Sequence, residues 1–428
     1  MKPDFQIPDF QIIGGGLIGL STAYTLLKRG ASVRIIEARE AVALETSFAN
    51  AGMVHASLAD PWNGSGVGRQ MLGSLFGLNS PMTLHLRALP SMAGWGFKFL
   101  KNATPTRHWQ ATRANYKLAE YSMSLIHKWR DELDIKDGFE SLGLLKIFRS
   151  QSALDKAGAI TGKLQHLGLR AEYLTGADIA NKEPCLASIS DKLAGAIYYP
   201  DDYKADAYAF CKALEQAVIK LGGEIITGAP VKSVLSRAEK TIGVITATGE
   251  YFAGTTIIAA GAHSTDLLRP LGVHLPVRPV KGYSLTFENL GGSKPPSFPK
   301  LPVVDDDLHC AVTPLAGAVR IAGTAEITGF NAAMPKSRLM PLLNMLRSVY
   351  PDLAQNMSLE DGTTWHGFRP VSADGVPLIG MVKPGLALNT GHGHMGWTMS
   401  AGSGVLLADI LLDRPQTLDP TQFSAIRN

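Results

Sequence analysis

Near its start the chain places a short apolar run, a glycine-rich turn and an apolar helical stretch one after another. Residues 10–13 (FQII) have the length and composition of a buried parallel strand. Residues 20–27 are typical of a helix that ends at Gly30, and residues 31–36 predict a second strand that ends at Glu37. This order predicts a βαβ unit at the beginning of the fold.

The remainder of the chain mixes helical and strand-like patterns. In residues 110–133, apolar side chains recur at helical spacing, which predicts a core-facing helix rather than a metal or cofactor site; they include Tyr116, Ala119, Met123, Ile126 and Trp129. Further helices are predicted at 152–167 and 206–221, and strands at 142–148, 224–226, 229–235, 243–248, 251–253 and 256–262. Residues 276–330 alternate strand and turn signals, and residues 366–412 combine a glycine-rich stretch with a helix.

The turn after the first strand has the spacing Gly14-x-Gly16-x-x-Gly19. In a dinucleotide-binding fold, the first glycine permits the tight turn, the second lets the backbone approach the pyrophosphate, and the third lets helix and strand pack closely. The helix N-terminus offers free N–H groups to the phosphates. Glu37 stands where an acid accepts hydrogen bonds from the ribose hydroxyls, which argues against a 2′-phosphate and therefore against NADP. The alternative is an ordinary βαβ unit without a nucleotide.

The segment after the second strand favours a flavin over a nicotinamide dinucleotide. Residues 45–52 (ETSFANAG) are small and polar, which suits the ribityl and pyrophosphate section of FAD. Residues 256–262 end in small residues that let the backbone approach a cofactor. The FAD-binding residues predicted in this part of the chain are Gly14, Gly16, Leu17, Ile18, Gly19, Glu37, Ala38, Arg39, Glu45, Thr46, Ser47, Asn50, Ala51, Gly52, Val231, Ala260 and Gly261.

Composition sets limits on this hypothesis. At 428 residues the chain is too long for one ordinary core, so two domains are expected. Its 41 basic and 37 acidic residues give a net charge of +4, which is too small an excess to indicate nucleic acid binding. Cys185, Cys211 and Cys310 are far apart and lack the spacing of a disulfide framework or a zinc site. Their positions also disfavour a covalent flavin link, and a reducing compartment is expected.

The sequence shows no signal peptide and no run of about twenty apolar residues, so a cytoplasmic location without a transmembrane helix is expected. Residues 72–100 mix apolar side chains such as Phe76 and Phe97 with Arg87 and Lys98. This stretch fits helices that pack over a substrate pocket. It also fits an interfacial patch that would hold the protein peripherally on the inner face of the cell membrane.

These patterns predict an α/β fold (α+β overall) in which two domains are interleaved. A Rossmann-like FAD-binding domain is expected from residues 1–60, 200–275 and 363–428. A substrate-binding domain is expected from residues 61–199 and 276–362, built on a mixed antiparallel β-sheet with flanking helices.

Several segments resemble those of one family of flavoproteins. They are ETSFANAG (45–52), PVKGYSLT (279–286), G-x-AEI-x-GFN (323–331), GFRP (367–370) with Asp374-Gly375, and NTGHGHMGWTM (389–399). In these segments the chain resembles the D-amino-acid oxidase/glycine oxidase superfamily and, within it, bacterial small-subunit-type D-amino acid dehydrogenases. It departs from them at His394, where relatives usually carry a small polar residue, and at residues 53–55. Both departures bear on substrate preference more than on the cofactor.

The resemblance implies FAD-dependent oxidative deamination of D-amino acids to 2-oxo acids and ammonia, by hydride transfer from Cα to flavin N5. It also implies that a quinone or another electron-transfer acceptor, rather than oxygen, takes the electrons. Two alternatives stay open. One is oxidation of secondary amines such as D-hydroxyproline, D-proline or sarcosine, and the other is a non-catalytic flavin-binding module that serves a partner.

Such a reaction requires positioning and electrostatics more than a strong acid or base. Arg369 is predicted to bind the substrate carboxylate with its planar guanidinium, and pairing with Asp374 is the alternative. Tyr283 is predicted to give a second hydroxyl to that carboxylate, with packing in a strand as the alternative. His55 and His309 are candidates for the amine side, since a neutral imidazole can accept its proton.

The pair His392-x-His394 has no third metal ligand nearby in the sequence, so no metal is predicted. Its flanking glycines indicate close backbone approach instead. The resemblance places this segment around the pyrimidine end of the isoalloxazine, where a helix N-terminus stabilises negative charge. The residues implied to contact the flavin ring are Gly367, Arg369, Gly393, Met395, Gly396, Trp397 and Thr398.

Overall fold

The computed structural model describes residues 7–64, 66–68, 82–85, 88–136, 138–288 and 298–427. Its strands are β1 Phe10–Ile13, β2 Val33–Ile36, β3 Met53–Val54, β4 Met82–Leu84, β5 Leu144–Phe148, β6 Glu172–Leu174, β7 Gly195–Tyr199, β8 Tyr203–Lys204, β9 Glu224–Ile226, β10 Ser233–Arg237, β11 Lys240–Ile245, β12 Glu250–Phe252, β13 Thr255–Ile258, β14 Val277–Phe287, β15 Val303–Asp305, β16 Cys310–Leu315, β17 Ala318–Ile327, β18 Thr363–Ser372, β19 Leu378–Lys383 and β20 Leu386–Thr390. Its α-helices are α1 Leu17–Lys28, α2 Leu89–Asn102, α3 Pro105–Glu132, α4 Gln151–Gln165, α5 Gly176–Lys182, α6 Ala207–Lys220, α7 Ser264–Leu268, α8 Lys336–Val349, α9 Pro351–Ala354 and α10 Gly396–Leu411.

A six-stranded sheet contains the βαβ unit predicted at the start of the chain. Its strand order is β19-β20-β13-β1-β2-β9. Its neighbours are parallel except in the hairpin of β19 and β20. Strands β1 and β2 are buried along their whole length, as expected for central parallel strands covered on both faces. The predicted order of strand, glycine loop, helix and strand is confirmed.

A second, largely antiparallel sheet is the other main layer. Its order is β18-β14-β17-β16-β15-β5-β7-β6, and β4 pairs with β17 outside this path. The pairs β15–β5 and β17–β4 are parallel, so the sheet is mixed. Helix α8 packs against β14, β16 and β17. The predicted α/β fold class is confirmed, whereas the predicted domain boundaries stay a prediction.

Helix α10 is the central helix of the larger core. It packs against α1 on one side and α3 on the other. A Cβ added to Gly404 would lie 2.9 Å from the backbone of Ser21 in α1, and one added to Gly402 would lie 2.9 Å from Ser122 in α3. Glycine at these two positions therefore lets three helix backbones approach closely.

The apolar periodicity predicted for residues 110–133 is confirmed in α3. Its buried residues include Tyr116, Ala119, Met123, Ile126 and Trp129. Several strand predictions need correction at their ends, and β11, for example, is Lys240–Ile245 instead of 243–248. Strand β10 begins at Ser233 rather than at residue 229, because Pro230 has no N–H to donate to a ladder. Strand β13 ends at Ile258, and Gly261 at φ +54° starts a 3₁₀ turn instead.

Part of the stretch 72–100 lies outside the described residues, namely 72–81 and 86–87. In its described part, α2 buries Met92, Trp95 and Phe99, which fits packing over the core. Phe97 is 71% exposed and Leu100 is 47% exposed on the same helix. Among the described helices, none combines the length and the apolar character needed to cross a membrane.

Candidate active site

A cavity of about 1490 Å³ lies between the two large sheets. Its wall includes residues that follow the carboxyl ends of β1, β2 and β13, together with residues of β14, β17 and β18. The carboxyl edge of a parallel sheet is the place where α/β folds bind their ligands. The cavity therefore joins the predicted dinucleotide site to the mixed sheet.

The glycine loop is built for close approach of a ligand backbone. Gly14 has φ +111°, and a Cβ there would lie 2.6 Å from the Ala259 carbonyl oxygen. A Cβ on Gly19 would lie 1.9 Å from the Gly14 carbonyl oxygen, so only glycine lets α1 pack against the loop. Gly16 caps α1 without a side-chain hydrogen bond. The backbone N–H groups of Gly16 and Ile18 have no acceptor among the described residues, which leaves them for an anion.

Glu37 is fixed by the loop that it faces. One carboxylate oxygen accepts a hydrogen bond from the backbone N–H of Gly15 at 2.6 Å, and the other accepts from the N–H of Arg39 at 2.8 Å. The side chain is 8% exposed and belongs to the cavity wall. Each oxygen keeps a lone pair for a further donor. This geometry suits the predicted contact with ribose hydroxyls.

The segment 45–52 ties the N-terminus of α1 to the mixed sheet. The Ser47 hydroxyl accepts a hydrogen bond from the Leu17 N–H at 3.1 Å. The Thr46 hydroxyl donates to the Phe368 carbonyl at 3.0 Å. The Asn50 side chain accepts from the Gly52 N–H at 2.9 Å. These bonds hold the segment along the cavity between the two sheets.

Most of the predicted cofactor-binding residues lie in the cavity wall. They are Gly14, Gly16, Leu17, Ile18, Glu37, Ala38, Arg39, Glu45, Thr46, Ser47, Asn50, Ala51, Val231, Ala260, Gly261, Gly367, Arg369, Gly393, Gly396 and Trp397.

Gly19, Gly52, Met395 and Thr398 lie behind the cavity wall instead of in it. Gly19 packs against Gly14, and the Gly52 carbonyl accepts a hydrogen bond from the Ala205 N–H. Met395 is buried in the core, and the Thr398 hydroxyl accepts from the His55 N–H at 3.1 Å. The structure thus gives these four residues supporting positions.

The residues present fit FAD. The glycine cradle and the unused N–H groups of the α1 N-terminus suit a pyrophosphate, and Glu37 suits a ribose without a 2′-phosphate. A second helix N-terminus, that of α10, begins at Gly396 in the same cavity wall. It would face a group that becomes negatively charged on reduction.

Arg369 lies in β18 on the cavity side of the mixed sheet. Its Nη1 donates to the Thr324 carbonyl at 3.1 Å, and its guanidinium carbon lies 5.5 Å from the centre of the Trp62 ring. Among the described residues, no carboxylate lies within ion-pair distance of it. Burial lowers its pKa to about 10, so it stays cationic at neutral pH. Its remaining N–H donors are free for a bidentate partner such as a carboxylate.

Trp62 and His394 form a wall beside this guanidinium. Their rings are nearly parallel, with centres 5.3 Å apart and an angle of 9° between the planes. The His394 Nε2 lies 3.2 Å from the Leu58 carbonyl oxygen, so Nε2 carries the proton. Burial lowers the pKa of His394. Its ring is therefore neutral near pH 7, and Nδ1 is an acceptor.

Tyr283 belongs to the cavity wall, but its hydroxyl donates to the Glu326 carboxylate. Glu326 also lies 2.6 Å from His85 Nε2 and accepts two hydrogen bonds from Arg338, at 3.0 and 3.1 Å. Burial and the neighbouring carboxylate raise the pKa of Tyr283. The hydroxyl proton is therefore committed to Glu326, and the predicted second bond to a substrate carboxylate would require its release.

The two candidate histidines occupy different parts of the wall. His55 is buried, its Nδ1 has no partner among the described residues, and burial lowers its pKa to about 3. His55, Trp62 and His394 line the same cavity. His309 has φ +50° and lies near the ion pair of Lys146 and Asp306, and burial lowers its pKa.

Some site residues had no distinct signal in the sequence. Trp62 and Asp60 fall in a stretch without a motif, and both line the cavity. Thr324 lies inside the 323–331 segment, but no pattern marks its role. His392 is buried with both ring nitrogens unpartnered among the described residues. Among the described residues, no group of three or more His, Cys, Asp or Glu side chains is arranged to hold a metal.

Comparison with known proteins gives matches over nearly the whole chain. A family model described as FAD dependent oxidoreductase matches residues 9–410. The chain is 34% identical to a D-amino acid dehydrogenase of Bradyrhizobium diazoefficiens over 417 residues, which cover 97% of this chain and 98% of that protein. It is 34% identical to a D-amino acid dehydrogenase of Sinorhizobium medicae over 419 residues, which cover 97% and 99%.

Solved structures share the fold. The crystal structure of glycine oxidase from Geobacillus kaustophilus superposes with a TM-score of 0.77 at 23% identity, covering 98% of this chain and 99% of that chain. Iminodiacetate oxidase from Chelativorans sp. BNC1 gives a TM-score of 0.73 at 21% identity, covering 97% and 98%. At these identities the two likenesses concern the fold.

Proposed function

We propose that this chain, which belongs to the family of FAD-dependent oxidoreductases, oxidises D-amino acids at Cα. The substrate loses two electrons and two protons to give an imino acid. Water then converts the imino acid to a 2-oxo acid and ammonia, and an external acceptor takes the electrons. The observation that carries the proposal is the Arg369 guanidinium, which has no carboxylate partner among the described residues and lies in a cavity that also holds the dinucleotide cradle. The names of the relatives, D-amino acid dehydrogenase, support the D configuration of the proposed substrate.

The cofactor would be held by the glycine loop, by Glu37 and by the N-terminus of α10. FAD, when bound, supplies a two-electron acceptor for the hydride that leaves Cα. The chain itself binds and orients the substrate and removes a proton from its amine. Catalysis of this kind rests on positioning and on fixed charges.

Arg369 holds the substrate carboxylate in this mechanism. Its only hydrogen bond within the described residues is the one to Thr324, so two N–H donors on one edge can face a carboxylate. A partly buried guanidinium without an acidic partner is unfavourable unless a ligand supplies the negative charge. The site is therefore complete only with an anionic substrate.

The amine must be neutral before the Cα hydride leaves. His55 and His394 are neutral near pH 7, because burial lowers the pKa of each imidazole. His394 Nδ1 can accept a proton from an ammonium group, since its Nε2 is already bonded to Leu58. His394 thus adds a basic group to this site.

Chirality and substrate class are tested together by anaerobic reduction. The FAD-loaded protein should be yellow when oxidised, and D-alanine should bleach it whereas L-alanine should not. Bleaching by sarcosine or D-proline but not by D-alanine would contradict the proposal and favour the secondary amines. If no amine reduces the flavin, the hypothesis that remains is a non-catalytic flavin-binding module.

We place the electron acceptor among quinones or electron-transfer partners rather than oxygen. The names of the dehydrogenase relatives support this choice. Oxygen consumption with D-alanine and no added acceptor should be slow, and a soluble quinone should accelerate turnover. Rapid formation of hydrogen peroxide without an acceptor would contradict it.

A lipid-soluble quinone would require contact with a membrane surface, and α2 provides a suitable face. It exposes Phe97 (71%) and Leu100 (47%) beside Lys98 and Lys101, a combination typical of an interfacial helix at anionic lipid. The double variant Phe97→Ser/Leu100→Ser should sediment less with anionic vesicles than wild type. Ile219→Ser, an equally exposed apolar residue on α6, is the control and should bind as wild type does. Equal sedimentation of all three proteins would exclude this face of α2 as the membrane-binding surface.

A further inference from the structure

The Arg369 guanidinium lies on a part of β14 that has no side chain. Val280 pairs with Arg369 across β14 and β18, and the long side chain extends from there over Gly282. A Cβ added to Gly282 would lie 2.2 Å from the Arg369 Nη1 and 2.4 Å from its Cζ. Any other residue at position 282 would therefore displace the guanidinium.

The neighbouring strand supplies the hydrogen bond through a β-bulge. Lys281 pairs with Glu326 and Tyr283 pairs with Gly323, so the single residue between them in β14 faces two residues in β17. The first of these is Thr324, whose φ is +60°. Glycine is the usual residue in this left-handed bulge position, and a β-branched residue there is an outlier. The carbonyl of Thr324 accepts the hydrogen bond from Arg369 Nη1 at 3.1 Å.

The pairing around Thr324 keeps this strained conformation in place. Strand β16 pairs with β17 as far as Gly323, whereas β4 pairs with it from Ala325 onward. The bulge is therefore the point where β17 changes its neighbour, and register is fixed on both sides of it. Strained residues persist where the surrounding structure over-determines them, and they concentrate at functional sites.

We propose that Gly282 and Thr324 are positioning residues for Arg369: the missing side chain of Gly282 leaves the space, and the Thr324 carbonyl sets the orientation. The guanidinium is then held by a neutral carbonyl, so its positive charge stays available to a ligand carboxylate. This inference rests on the proposed function, in which Arg369 binds the substrate carboxylate. Neither residue contacts the reacting atoms in this role.

Gly282→Ala is the direct test. The backbone at Gly282 has ordinary strand geometry, and the three atoms nearest to an added Cβ all belong to the Arg369 guanidinium. Because a displaced guanidinium loses the geometry of its bidentate hydrogen bonds to the substrate carboxylate, we expect KM for D-alanine to rise by about 10- to 100-fold. The kcat should stay within about threefold of wild type, since the residues of the reacting centre are unchanged.

A double-mutant cycle separates positioning from general damage. In an Arg369→Ala background, Gly282→Ala should have no further effect on KM, because the group it displaces is gone. If Gly282→Ala lowers activity equally in both backgrounds, or leaves the wild-type KM unchanged, the inference is overturned.

Thr324→Gly tests whether the carbonyl rather than the side chain matters. Glycine accepts the left-handed conformation without strain and keeps the carbonyl, so KM should rise much less than in Gly282→Ala while thermal stability rises slightly. Ala238→Gly is the matched control, since Ala238 has φ +53° in an exposed turn far from the cavity. A large rise of KM in Thr324→Gly, absent in Ala238→Gly, would move the role to the threonine side chain and overturn the carbonyl assignment.

A binding measurement keeps this inference distinct from the proposed reaction. D-Lactate carries the carboxylate without the amine, and its binding can be followed by the change in flavin absorbance. We expect its Kd to rise by about 10- to 100-fold in Gly282→Ala. If no D-amino acid reduces the wild-type flavin while Gly282→Ala still weakens lactate, the proposed reaction fails and the positioning role holds. Equal lactate affinity in wild type and Gly282→Ala would overturn the positioning role.

Discussion

Asp374 forms an ion pair with Arg427, and not with Arg369. The Arg427 Nε lies 2.9 Å from one carboxylate oxygen of Asp374, and Nη2 lies 3.2 Å from the other. Asp374, which follows Arg369 by five residues in the sequence, is therefore already paired with a residue of the C-terminal segment. This pairing removes the main structural alternative for Arg369 and leaves its charge for a ligand.

Arg369→Ala should abolish productive substrate binding while the protein keeps its flavin. Charge-assisted hydrogen bonds contribute roughly 1.5–3 kcal/mol each, so losing two of them should raise KM by about 100-fold or more. Arg369→Lys should recover little, since a lysine cannot form the bidentate pair. Steady-state kinetics with D-alanine would measure this.

Arg427→Ala is the matched control for charge removal in the same region. Its partner Asp374 is part-buried, so thermal stability should fall, but KM should stay close to the wild-type value. If KM rises in Arg427→Ala, or stays normal in Arg369→Ala, Arg369 is not the residue that binds the substrate carboxylate.

Tyr283→Phe should change KM by less than about threefold, because the hydroxyl already donates to Glu326. The variant should instead lose stability, since Glu326 would keep its charge with one donor fewer. Thermal unfolding and kinetics on the same preparation separate the two effects. A KM raised as strongly as in Arg369→Ala would show that the hydroxyl turns to the substrate.

Local patterns in the sequence were sufficient to predict the strands and the helix around the proposed FAD site. The apolar run at 10–13, the glycine spacing and the acid at Glu37 are contiguous, and each has a local physical reason. The helical periodicity of α3 could also be predicted, because one face must be buried. The predicted ends of strands were wrong where a proline or a glycine with positive φ interrupted the apolar run, as at Pro230 and Gly261.

The arrangement around Arg369 could not be predicted in the same way. It depends on the register of β14, β17 and β18. The conformation of Thr324 is fixed by strand partners that are far away in the chain. The stacking of Trp62 on His394 joins residues more than three hundred positions apart. Likewise, only the register and the network of Glu326 show that the Tyr283 hydroxyl is already bonded.

Glu37→Gln should weaken FAD binding by about tenfold or more. The carboxylate accepts short hydrogen bonds from Gly15 and Arg39, and an amide offers only one accepting oxygen. One of the two hydrogen bonds that the Glu37 side chain accepts, from the Gly15 N–H or from the Arg39 N–H, would therefore be lost. Fluorescence titration of the apoprotein with FAD gives the Kd directly. Glu360→Gln is the control: its ion pair with Lys336 is exposed and lies outside the cavity wall, so its removal should change the Kd little.

Buried histidines should make the protein less stable as the pH falls. Burial lowers the pKa of His392 from 6.5 to about 3, so the folded state keeps the ring neutral while the unfolded chain takes up a proton below pH 6.5. The stabilisation is complete above that pH and is lost as the pH falls toward 3. Between pH 7.5 and 5.5 this single group should remove about 1 kcal/mol from the free energy of unfolding.

His392→Asn would remove that dependence, because asparagine does not titrate in this range. We expect its free energy of unfolding by urea, measured with saturating FAD, to fall less between pH 7.5 and 5.5 than that of wild type. His274→Asn is the control, since His274 is exposed and outside the cavity wall, and it should follow wild type. Equal pH dependence in all three proteins would mean that the His392 ring is protonated or solvated in the folded state. In that case its two ring nitrogens, which are unpartnered among the described residues, would bond to the cofactor or to water.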